Sequence, residues 1–180
     1  MVQEKTALFI GRFQPFHNGH LDAISQIFVS GIEFLLIGIG SAEKNFLVKN
    51  PFSAGERWEM IFESLRGKKF SSQFAIFPIS NIRHFAVWPQ YVTSFLPPFS
   101  KIFSGSPLIR HLFQKFSGVK VCELINNKNI SATTVRQKIK TGKNISNLVP
   151  AEVENFLQKI DAQKRLQEIE KTGFSSLENF

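Results

Sequence analysis

Cysteine is nearly absent from this 180-residue chain: Cys122 stands alone, which excludes an intrachain disulfide framework and a cysteine-based zinc site. No apolar run approaches the length of a bilayer crossing. The richest, Phe34-Leu35-Leu36-Ile37-Gly38-Ile39, suits a buried strand instead. Internal repeats and low-complexity linkers are missing too. So are a P-loop and a Gly-x-Gly-x-x-Gly fingerprint, since Thr141-Gly142-Lys143 lacks the upstream glycine and strand. The opening Met1-Val2-Gln3-Glu4-Lys5 has neither the basic patch nor the apolar stretch of a signal peptide, and a soluble, cytoplasmic protein is the expectation. Acidic residues are few, 14 against 22 Lys and Arg, giving a net charge of +8. That balance favours anionic partners, either nucleic acid or phosphorylated small molecules. Most of the late cations, Lys140, Lys143, Lys159, Lys164 and Arg165, read as solvated charges on helix surfaces.

What the chain does have is apolar material, 43% of it hydrophobic with 20 phenylalanines, enough for a sizeable core in one domain spanning 1–180. Thr6 to Ile10 reads as a buried strand closed by Gly11, and Gly19 to Phe28 as a helix with Leu21, Ile24, Ile27 and Phe28 at helical spacing. Glu33 to Ile39 is a second strand. Ser53-Ala54-Gly55-Glu56 is a capping box ahead of a helix bearing Trp58, Ile61, Phe62 and Leu65. Phe74 to Ile79, Lys101 to Phe103 and Val119 to Leu124 are further strands, separated by helices at Trp88 to Phe95 and from Pro107 to Phe116. The polar stretch 126–129 precedes Ser131 and a helix over Thr133 to Ile139. A C-terminal helix covers about 150–170, with a loose tail at 171–180. Strands alternating with helices predict an α/β fold with a Rossmann-like, mostly parallel sheet and helices on both faces. Such sheets bind ligands at the carboxyl ends of their strands, where Gly11 and Gly105 fall.

The chemistry concentrates in Gly11-Arg12-Phe13-Gln14-Pro15-Phe16-His17-Asn18-Gly19-His20. This segment leaves a buried strand and enters a helix, so free N–H groups and the helix dipole face whatever sits there. His17 and His20, three apart, can present both imidazoles to one side and donate to phosphate oxygens. Arg12 adds a planar fork for the same anion, and Gly19 permits close approach at the helix start. His-x-x-His can also ligate a metal, but no third ligand stands nearby in the sequence. At Ser131 and Thr133 a second helix start offers hydroxyls and N–H groups, with Arg136 one turn later.

Gly11 to His20 resembles the nucleotidyltransferase signature Gly-Arg-Phe-x-Pro-x-His-x-Gly-His, and the chain is similar to the archaeal-type nicotinamide mononucleotide adenylyltransferases from about Leu8 to Val149. Asn50 to Arg57 resembles the family's second block, Phe103 to Leu108 a block lining the adenosine side, and Ile130 to Arg136 the Ile-Ser-x-Thr-x-x-Arg signature. The resemblance implies an ATP side made of Gly11, Arg12, Phe13, Gly19, Gly105, Ser131, Thr133 and Arg136, with His17, His20 and Arg136 acting in catalysis. It implies an acceptor side of Arg12, Arg57 and Trp88, with Arg57 on the acceptor phosphate and Trp88 stacked on a cationic pyridine ring. Ser41 and Lys44 are secondary candidates. The chain departs from the family in three places: Ser106 replaces an Asn, Asn81 an Asp, and Phe85 an Asn whose contact with the acceptor carboxamide His84 or Asn81 would have to supply.

The implied reaction moves AMP from ATP onto the phosphate of nicotinamide mononucleotide, releasing pyrophosphate and making NAD. The cofactor is Mg2+ carried with ATP, with no dedicated protein metal site. The relatives form hexamers, so a homo-oligomer is also implied. Competing readings are a same-fold transferase with nicotinic acid mononucleotide, phosphopantetheine or flavin mononucleotide as acceptor, or with CTP as donor. Others are an inactive nucleotide sensor and a nucleic-acid-binding protein. The last is disfavoured because the aromatics do not interleave with a basic strand pattern.

Overall fold

A computed structural model describes residues 4–70, 72–116, 118–124 and 129–172. They form five strands and seven helices: β1 Thr6–Gly11, α1 Asn18–Val29, β2 Phe34–Gly40, α2 Ala54–Leu65, β3 Phe74–Ile79, α3 Trp88–Phe95, β4 Lys101–Ser104, α4 Pro107–Gln114, β5 Lys120–Cys122, α5 Ala132–Lys140, α6 Ala151–Lys159 and α7 Ala162–Lys171. A 3-10 turn at Phe85–Val87 leads into α3. The residues group into two compact units: one from the described residues within 1–11, 23–42 and 67–125, the other from those within 12–22, 43–66 and 126–180.

The first unit holds the sheet, fully parallel and ordered β3-β2-β1-β4-β5. Central strands of a parallel sheet are covered on both faces and read as unbroken apolar runs. Leu8 and Leu36 on β1 and β2 are accordingly fully buried. Edge strand β3 tolerates Pro78, which lacks the N–H that an interior position needs. Strand order reverses between β1 and β4, the switch point at which such sheets take ligands. The core of this unit gathers Leu8, Ile10, Leu36, Ile79, Trp88, Val92, Ile102 and Phe113.

The second unit carries the loop after β1, the helices α2, α5, α6 and α7, and the first turn of α1. Ser53 caps α2 in a complete capping box with Glu56, as its spacing predicts. The single helix expected over 150–170 is two helices. Asp161 takes a left-handed φ of 47° and caps α7 by accepting from the Lys164 N–H. The expected tail at 171–180 lies outside the described residues from 173 onward, as do residues 126–128 of the polar stretch.

Candidate active site

The segment after β1 is folded around its two histidines. Phe13 takes a left-handed φ of 51°, and Phe13 and Phe16 are both buried. Their rings bracket His20, with centroids at 4.8 Å edge-on and 5.5 Å stacked. His17 stacks on His20 at 3.6 Å. The His17 backbone N–H donates to His20 Nδ1 at 3.2 Å. An accepting Nδ1 carries no proton, so neutral His20 holds its hydrogen on Nε2. Burial lowers the His17 pKa to about 4, and burial followed by the His17 charge holds His20 well below the usual imidazole value. Both rings are therefore neutral donors at pH 7. Gly19 has a local reason: a Cβ there would stand 3.1 Å from the His17 ring. What approaches the helix start closely is the protein's own imidazole.

Two fasteners hold this loop that the sequence reading did not single out. Gln14, buried, pairs its side-chain amide with both backbone groups of Phe52, at 2.8 and 3.0 Å. Asn18 donates its backbone N–H to Leu148 O at 2.8 Å and its side-chain amide to Asn147 O at 3.2 Å. Each bonds backbone far along the chain, which no local pattern in the sequence announces.

Arg12 opens the loop, and Arg57 and Arg136 bond its backbone. Arg136 donates from Nη1 to Gln14 O at 2.8 Å and from Nη2 to Thr133 Oγ1 at 3.2 Å. Burial lowers its pKa, and the charge of Arg12 lowers it further. Arg57, expected on the acceptor phosphate, is enclosed. Its side chain is 0% exposed, with Nη1 donating to Arg12 O at 2.9 Å and Nε to Ser53 O at 3.1 Å. Its pKa falls to about 10, from burial first, with Glu43 and Glu56 opposing and Arg12 adding to the fall. A guanidinium enclosed this way braces the backbone of Arg12. Arg12 is the exposed member of the set.

At the start of α5, Ser131 is the N-cap and accepts from the Thr134 N–H at 3.1 Å, with its hydroxyl 2.8 Å from Thr134 Oγ1. The expected hydroxyls of Ser131 and Thr133 are thus occupied in shaping the helix start. The first N–H groups of α5 remain without intrahelical partners, as at any helix start.

The remaining candidates belong to the first unit. Gly11 ends β1 opposite Ile39. Ser104 donates its hydroxyl to Ile10 O at 3.1 Å, and Arg110 Nη1 donates to Ser104 O at 2.9 Å, fixing the turn after β4. Gly105 in that turn has no left-handed φ, and a Cβ there would meet nothing within 4 Å, so backbone strain does not demand glycine. Ser106, where the family has Asn, caps α4 by accepting from the Ile109 N–H. Asn81 donates to Ser41 Oγ at 3.0 Å, and Phe85 is exposed. Trp88, expected to stack on the acceptor ring, is 1% exposed, edge-on to Phe113 at 6.0 Å, with Nε1 buried and unpartnered. A large apolar residue opening α3 has gone into the core. Among the described residues no group of three or more His, Cys, Asp or Glu gathers to hold a metal ion.

A stacked pair of neutral imidazoles on a loop bonded by Arg57 and Arg136 suits the handling of phosphate groups, and together with the fully parallel sheet it indicates a nucleotidyltransferase. Residues 8–138 match the cytidylyltransferase-like family. The chain belongs to this family, and within it to the nicotinamide-nucleotide adenylyltransferases, as its relatives show. It is 39% identical over 173 residues to the nicotinamide-nucleotide adenylyltransferase of Methanococcus aeolicus, covering 96% of this chain and 99% of that one. With the enzyme of the same name from Pyrococcus horikoshii it shares 36% over 163 residues, covering 90% and 87%. Among solved structures it superposes on a Francisella tularensis bifunctional NMN adenylyltransferase/ADP ribose pyrophosphatase complexed with AMP and a manganese ion, with TM-score 0.75 and 26% identity. That match covers 93% of this chain and 52% of the bifunctional one, so the chain spans about half of it.

Proposed function

We propose that the chain transfers the adenylyl group of ATP to nicotinamide mononucleotide, giving NAD and pyrophosphate. A phosphate oxygen of the acceptor attacks the α-phosphorus in line, a new P–O bond forms, and the bond to the β-phosphate oxygen breaks. The acceptor oxygen is already anionic near neutral pH, so no general base is needed. The site has to supply position and neutralise charge on two polyanions. His20 donates from Nε2–H to the α-phosphate, with His17 beside it. Arg136 and the α5 start take the β- and γ-phosphates, and Arg12 lies between donor and acceptor. Magnesium enters as part of the MgATP substrate, held by phosphate oxygens and water. One observation carries this reading: Arg57 and Arg136 bond the backbone of one loop, at Arg12 O and Gln14 O, and that loop holds the stacked histidine pair. Arg57 serves the acceptor through Arg12, not by touching it. A stacking role for Trp88 requires its ring to leave Phe113 when the acceptor binds.

The test is pyrophosphate release with MgATP and a panel of acceptors. Turnover fastest with nicotinamide mononucleotide supports the proposal. Turnover only with nicotinic acid mononucleotide or another phosphate ester replaces the acceptor, and silence with all of them sinks the reaction. His20→Ala is expected to lower kcat by about two to three orders of magnitude with the fold intact by circular dichroism.

A further inference from the structure

The last helix contributes nothing to the phosphate-handling set, and its Arg165 reads in the sequence as a solvated surface charge. The structure puts it elsewhere. Arg165 Nη1 donates to Glu56 Oε1 at 2.7 Å, with side chains only 20% and 19% exposed. The pairs Lys5–Glu33, Glu63–Arg66, Lys140–Glu170, Glu59–Lys159 and Lys164–Glu168 each have a partner more than half exposed. The Phe46 ring stands over the Arg165 guanidinium at 5.2 Å and shields it further.

Glu56 is more than an ion-pair partner. Its second oxygen accepts from the Ser53 N–H at 2.8 Å, and the Glu56 N–H donates to Ser53 Oγ at 3.2 Å, which closes the cap of α2. Ser53 O accepts in turn from Arg57 Nε, and Arg57 Nη1 donates to Arg12 O. Glu56 also favours the charged form of Arg57. A continuous chain of charged and hydrogen-bonded groups thus runs Arg165, Glu56, Ser53, Arg57, Arg12, all within one compact unit. Elsewhere α7 is tied to α5 by Gln167 Nε2 donating to Lys140 O at 3.0 Å and by the Lys140–Glu170 pair.

We propose that Arg165 is a positioning residue for the transfer reaction: by fixing Glu56 it sets, through the start of α2 and Arg57, where Arg12 meets the phosphates. The proposal rests on the role given above to Arg12. Arg165 touches no substrate, and its contribution is routed through a side chain that does. If that is so, removing Arg165 costs nothing once Arg12 is gone.

The experiment compares four proteins: wild type, Arg165→Met, Arg12→Ala and the double variant. Methionine keeps the apolar stem and removes the charge. In the wild-type background Arg165→Met is expected to lower kcat/KM about tenfold, whereas with Ala at position 12 its effect is expected to stay within about twofold. Arg165→Lys, which restores charge without the planar fork, is expected to recover part of the loss. An equal loss in both backgrounds marks a general destabilisation and overturns the relay, as does no loss in either. Should Arg165→Met fail to fold, Glu56→Gln takes its place in the same cycle, since glutamine can still close the cap. Should wild type turn over no acceptor at all, the reaction proposed above falls separately. The relay is then read from calorimetric affinity for inorganic pyrophosphate in the same four proteins, and loss independent of Arg12, or no loss, overturns it.

Discussion

At the scale of single residues the histidine pair has a consequence for stability as well as chemistry. His17 titrates near 6.5 when unfolded and at about 4 when folded, because burial penalises its charged form. Between those values the unfolded chain binds a proton that the native state does not. Stability therefore rises with pH across this window and is complete above about 6.5. Falling below pH 4 costs roughly 3 kcal/mol from this group alone. Urea unfolding of His17→Gln from pH 4.5 to 6.5 is expected to show a shallower pH dependence than wild type. A slope equal to wild type would remove His17 as the source. The residue types of this site were legible in the sequence, but their environments were not. Two imidazoles three apart announce a site, yet neutrality follows from a ring stack of 3.6 Å that no pattern displays. For the same reason Arg57 and Trp88 were recognisable as notable residues while their burial was not.

At the scale of elements, α5 begins with a capped turn and carries Arg136, which bonds the loop after β1 at Gln14 O. Ser131→Ala removes the cap bond to Thr134, a loss of about 1 kcal/mol, and frays the turn whose N–H groups the proposed reaction assigns to the phosphates. The expected outcome is a lower thermal midpoint together with a KM for ATP raised several-fold and an acceptor KM nearly unchanged, measured by steady-state kinetics. Element identities were readable where apolar runs agree with burial, as in β1, and β3 and α3 also lie where the pattern put them, although β3 is only partly buried. The break before α7 was not. The apolar stripe Val153, Phe156, Leu157, Ile160, Leu166 and Ile169 runs straight through it, and the left-handed residue is an aspartate in place of the customary glycine.

At the scale of the whole chain, the net charge of +8 favours two anionic substrates over any neutral competitor. Raising potassium chloride from 50 to 500 mM is expected to increase both KM values about two- to fivefold while kcat holds, because salt screens the charge of exposed Arg12 while the neutral histidines carry none to screen. Unchanged KM values across that range would show that long-range charge is idle here. The sheet was legible as a parallel α/β fold, and its relatives agree. Its division into two units was not, since each draws on three stretches interleaved along the sequence.

That interleaving bears on how the protein is made. By the time Cys122 leaves the ribosome all five strands exist, yet Arg136 is still to come and Glu56 has no Arg165 to hold it. A nascent chain arrested in this interval would own a complete sheet and a loop after β1 that Gln14 and Arg57 hold but Arg136 does not. By the roles proposed for Arg136 and Arg165, capacity for catalysis arrives only with the final helices of the described residues, so late synthesis decides whether an early-formed scaffold becomes an enzyme.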